Sequence, residues 1–72
     1  MARPTPNQAL KRERFRQQMS RTALAHRTGL SSKALNDIEC GRVRPRLDSA
    51  SRVADALGVQ VTDIFDVDRI IG

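Results

Sequence analysis

The run from Ser20 to Arg42, SRTALAHRTGLSSKALNDIECGR, leaves few folds open. Counting from Arg21, apolar residues stand at the fourth, tenth, fifteenth and eighteenth places (Leu24, Leu30, Leu35 and Ile38). An alanine stands at the fifth place (Ala25) and a glycine at the ninth (Gly29). Two short helices that cross at a tight turn require such a pattern. Ala25 is small where the second helix passes close, and Gly29 takes the left-handed conformation that ends the first helix. Ser20 and Ser31 stand where each helix needs an N-cap.

This is a helix-turn-helix, a unit that most often lays its second helix in a DNA groove. The charge distribution agrees. Residues 1–46 hold eleven Lys or Arg and three acids, a net +8, whereas residues 47–72 hold two basic residues and five acids, a net −3. A basic front and an acidic back predict one surface for a polyanion and another for a different contact. With neither Trp nor Tyr, the chain lacks an aromatic platform for single-stranded nucleic acid. Recognition of duplex RNA is disfavoured, because its deep, narrow major groove does not admit such a helix.

Seventy-two residues allow one domain, and a core this small is marginal alone. Residues 1–6, MARPTP, read as a flexible arm, residues 7–66 as the folded domain and 67–72 as a tail. The fold class predicted is all-α, with five short helices. The first helix runs from a cap at Asn7 or Thr5 to about Gln18, with Leu10 and Phe15 inward and Met19 closing the turn. The second spans about Arg21 to Thr28 and the third about Ser32 to Cys40, where Gly41 stops it. The loop GRVRPR is stiffened by Pro45. Leu47, Ala50, Val53, Ala54 and Leu57 repeat at helical spacing and form the buried stripe of a fourth helix, which Gly58 ends. Thr62 caps a short fifth helix, Asp63 to about Asp66, with Ile64 and Phe65 as its apolar pair.

From about Leu10 to Phe65, more than three quarters of its length, the chain resembles the lambda-repressor-like domain of the Cro/C1-type (XRE) family. The resemblance rests on Arg14, on SRTALAHRTGL, on IECGR followed by Pro45, and on the closing ADALGVQVTDIF. It implies that the start of the third helix enters the major groove. Ser32, Lys33, Asn36 and Asp37 face outward there, with Ser31 at the cap. Lys33 suits guanine O6 and N7, Asn36 suits adenine, and Asp37 suits cytosine N4 unless it pairs with Arg21 or Lys33 instead. Arg21 stands where the family often has a Gln that touches backbone or an outer base. Arg42, Arg44 and Arg46 match the loop that follows the phosphate backbone, and guanidinium groups suit phosphate. Arg46 replaces the Ser or Thr that commonly caps the fourth helix. Arg14 and Glu39 match a buried ion pair that locks the first helix to the third.

The function these residues imply is a sequence-specific, DNA-binding transcriptional regulator, a repressor, acting as a homodimer on a palindromic operator in double-stranded DNA. Val61, Ile64, Phe65, Val67, Ile70 and Ile71 supply the expected dimer surface, unless they close the monomer's own core. Two other roles remain open: an antitoxin that binds a protein partner, its toxin, as well as its operator, and a restriction-modification controller protein. Catalysis is not expected, because no nucleophile–base set, paired carboxylates or phosphate-cradling glycine loop is present. No cofactor and no metal is expected either: Cys40 is the single cysteine and His26 the single histidine. No apolar stretch is long enough to span a membrane and no signal peptide is evident, so a cytoplasmic protein is expected.

Overall fold

The computed structural model describes residues 6–66, 70 and 71. Five helices follow in order: α1 (Gln8–Arg16), α2 (Arg21–Thr28), α3 (Ser32–Glu39), α4 (Leu47–Leu57) and α5 (Val61–Ile64). The protein is all-α. Among the described residues the sole β-type pairing is an isolated parallel bridge between Arg46 and Ile71. No helix among them is long and apolar enough to cross a membrane.

Polar side chains start the first three helices. Asn7 Oδ1 accepts from the Leu10 N–H at 3.0 Å, Ser20 from Ala23 at 3.0 Å and Ser31 from Ala34 at 3.0 Å. Asn7 does more than cap. Its backbone N–H donates to Glu39 O at 2.7 Å and its side-chain amide donates to Ile64 O at 2.7 Å, tying α1 to the ends of α3 and α5. Gly29 ends α2 at φ +76°, and Thr28 stitches the turn by donating to Leu24 O and accepting from the Leu30 N–H. The core lies where α2 packs on α3 and α4, and α1 on α3 and α5. Leu10, Leu24, Leu35 and Val53 are its fully buried centre.

Four expectations need correction. α1 stops at Arg16 rather than near Gln18, because Gln18 takes a left-handed φ of +54° and turns Met19 into the core. Phe15 is not inward but exposed. The inward place one turn beyond Leu10 belongs to Arg14, whose guanidinium covers the Phe15 ring at 4.8 Å. Leu47 is also exposed, since it occupies the first position of α4 and the buried stripe begins a turn later at Ala50. The fifth helix starts two residues early. Gln60 is its cap, and Asp63 reaches back to accept from the Gln60 N–H at 2.9 Å.

The expected dimer face is largely absorbed by the monomer. Ile64 and Phe65 are buried in the core, and Val61 and Ile70 pack against it half-buried. Ile71 is exposed. Val67 lies outside the described residues, as do Thr5 and the rest of the arm up to it. Ile71 instead ties the tail to the loop ahead of α4: its N–H donates to Pro45 O at 2.9 Å and its carbonyl accepts from the Leu47 N–H at 3.2 Å. Arg46 forms no side-chain cap for α4, so the Ile71 carbonyl satisfies the first of that helix's free N–H groups.

Candidate nucleic-acid interface

The buried base of the site is an ion pair. Arg14 Nε donates to Glu39 Oε1 at 2.9 Å, and both side chains are almost wholly buried. Arg14 also donates to Met19 O at 2.9 Å. Such a pair survives burial only when further hydrogen bonds support it, and the Arg14 fork supplies one, to Met19. Glu39 Oε2 has no hydrogen-bond partner. The cation that faces it is Arg21, at the head of α2, with Nε 3.4 Å away. Arg21 then reaches the outer face of α3, where it donates to Asn36 Oδ1.

A second cluster lies along α3 and the loop after it. Asp37 is only 19% exposed; its Oδ2 accepts from Lys33 Nζ at 3.3 Å and its Oδ1 stands 3.7 Å from Arg42 Nη1. Both carboxylate oxygens are engaged. Asp37 therefore pairs with Lys33, one helical turn back, and with Arg42, not with Arg21. Arg42 N–H and Val43 N–H both donate to Asp37 O, which folds the loop back onto α3. Lys33 remains 88% exposed beyond this contact, and Ser31 and Ser32 are exposed beside it. Arg44 and Arg46 are exposed on the same loop, flanking Pro45, which is buried. Among the described residues, neither has a carboxylate partner.

Among the described residues, two ion pairs lie off this face, Arg52–Asp48 along α4 and Arg16–Glu13 on α1. At the end of α1, Arg16 and Gln17 hydrogen-bond Glu13 and hold its carboxyl below the ordinary range, while Glu13 raises Arg16. Among the described residues no group of His, Cys, Asp and Glu is arranged to hold a metal ion.

The sequence-derived residues thus converge. Ser32, Lys33, Asn36 and Asp37 share one face of α3, and Arg21 and Arg42 reach that face from either side. Sequence spacing anticipates Lys33–Asp37, since they stand at i,i+4. It carries no signal for Arg21–Asn36, which joins two helices, or for the Ile71 clip on the loop.

Residues 10–69 match the Cro/C1-type HTH DNA-binding domain family. The chain belongs to this family. An immunity repressor protein of Bacillus phage phi105 is 36% identical over 67 residues, which cover 93% of this chain and 46% of that protein. The chain therefore spans less than half the length of the curated relative it matches. No solved structure is a significant match. As in the family, a DNA-binding role falls to the helix-turn-helix, which here is α2, the turn at Gly29 and α3.

Proposed function

We propose that this domain is the operator-reading part of a cytoplasmic transcriptional repressor, which seats α3 in the major groove of double-stranded DNA and acts as a homodimer on a palindrome. The observation that carries this reading is the placement of Asp37. It holds Lys33 on the reading face and Arg42 at the start of the loop in one cluster, so base-edge donors and phosphate-binding arginines form a continuous surface. Lys33 donates to guanine O6 and N7, Ser32 to either edge, and Arg44 and Arg46 to phosphates. One α3 reads only a few base pairs, so two copies with half-sites about one helical turn apart supply the selectivity. Leu47 and Ile71, neighbouring and exposed, are among the large apolar side chains left open and supply the contact between copies. Similarity to a phage immunity repressor supports repression as the sense of regulation.

Selection of binding sites from a random duplex pool tests this directly. The expected result is an enriched palindrome. Lys33→Ala then loses discrimination at a single base position by about 1–3 kcal/mol, while affinity for random DNA changes little. A pool that yields no enriched sequence, or a Lys33→Ala variant that weakens on all sequences alike, rules out this docking of α3.

Arg46 carries a trade-off that a second measurement exposes. It stands at the N-cap of α4 without capping it. Arg46→Ser is expected to add about 1 kcal/mol of stability by supplying the missing cap, and to weaken binding to all DNA. Thermal melting paired with DNA titration reads both; a melting point that falls means the cap position tolerates no serine.

A further inference from the structure

Asn36 lies half-buried on α3, one turn beyond Lys33. Its side-chain oxygen accepts from Arg21 Nη1, and Cys40 Sγ faces the same oxygen at 3.7 Å. A guanidinium carries donors and no acceptor. The amide atom it meets is therefore the oxygen, and the NH2 group is left as the free end. Arg21 is itself held in place. Its Nε stands 3.4 Å from Glu39 Oε2, a buried oxygen with no hydrogen bond, while Arg14 occupies the other oxygen at 2.9 Å. Arginine suits this double duty because its rigid planar fork presents separate N–H groups in fixed directions, whereas an ammonium is a compact point charge.

The consequence concerns base edges. In the major groove adenine presents an acceptor, N7, beside a donor, the N6 amine, whereas guanine presents two acceptors, N7 and O6. An asparagine with both ends free pairs with adenine, accepting from N6 and donating to N7. An amide oxygen has two lone pairs; Arg21 takes one and the Cys40 thiol faces the other, so Asn36 is left with its hydrogens to offer. They match the two acceptors of guanine and meet the adenine amine donor against donor.

We propose that Arg21 is a positioning residue that sets the base preference of Asn36: by holding its oxygen, Arg21 makes Asn36 a donor-only reader that selects guanine over adenine. This rests on the docking of α3 in the major groove proposed above. Arg21 then influences specificity without touching a base, through a chain that begins at the buried carboxylate of Glu39.

Binding-site selection with the 72-residue chain and two variants tests it. Asn36→Ala marks the base position that Asn36 reads, by erasing preference there. At that position the unaltered protein is expected to select guanine over adenine by about tenfold. Arg21→Ala releases the amide oxygen and is expected to move the preference to adenine at that position alone; a purely structural role for Arg21 would blur every position instead. A guanine-to-adenine change in the selected operator, measured on the unaltered protein, needs no variant to fold and is expected to cost the same tenfold. Adenine bound as well as guanine, or a preference identical with and without Arg21, overturns the proposal. So does an Asn36→Ala variant that erases no position, although α3 docking would survive that result. A pool with no enrichment at all overturns the docking and this proposal together.

Discussion

Glu39→Ala is expected to lose about 3–5 kcal/mol of stability, because it leaves Arg14 charged and buried without its carboxylate. Arg14 is 6% exposed and has no route to water that keeps its place in the core; after the change only Met19 O still accepts from it. Small domains are stable by about 5–15 kcal/mol in all, so the variant stands close to unfolding at room temperature. The effect belongs to the orphaned charge and not to the value of the pair. Replacing both residues by methionine is therefore expected to recover most of the loss, since a buried ion pair and a packed apolar pair differ little in net stability. Urea unfolding of Glu39→Ala and of the Arg14→Met, Glu39→Met double variant checks this. A Glu39→Ala variant within about 1 kcal/mol of the parent would falsify the buried-pair account.

The second large effect is on salt dependence. Arg42, Arg44 and Arg46 from each of two copies give six phosphate contacts in the proposed dimer. Six such contacts release enough counterions for operator affinity to fall about a thousandfold between about 50 and 200 mM salt. The three arginines are not equal. Arg42 already shares Asp37, whereas Arg44 and Arg46 are not paired among the described residues. Arg44→Ala is thus expected to flatten the salt slope by about one unit per copy, and Arg42→Ala by less. Titrations across a salt series measure the slope. An Arg44→Ala slope equal to the parent's means that the loop does not lie on the backbone.

The helices were legible where local chemistry decides them. Ser20, Ser31, Gly29 and Gly58 mark their own places as caps and stops, and the α4 stripe from Ala50 to Leu57 follows the helical period. Reading failed where a charged residue took an apolar place. Phe15 looks like core by type, yet the inward position went to Arg14, which pairs with Glu39 25 residues away; the family resemblance implies that pair, but residue type and helical period alone do not. Leu47 failed for a related reason: a helix's first residue lies beyond the neighbours that would cover it. At the interface the residue types, their common face and the Lys33–Asp37 pair were legible, but the Arg21–Asn36 and Asp37–Arg42 pairs were not. Whether Asp37 reads a base or holds two cations depends on how the loop after α3 folds back, and no spacing rule encodes that.

The clip at Ile71 also bears on how the domain opens. The amides of Leu47 and Ile71 are bonded to each other's segment and not to a helix interior. Their protection from hydrogen exchange therefore depends on the tail staying in place, and it is lost in a local opening that leaves Leu24 and Leu35 packed. Deuterium would enter the start of α4 before it enters the core. The end of the arginine loop, at Pro45 and Arg46, is thus expected to open with the Ile71 clip, whereas its start stays bonded to Asp37 on α3.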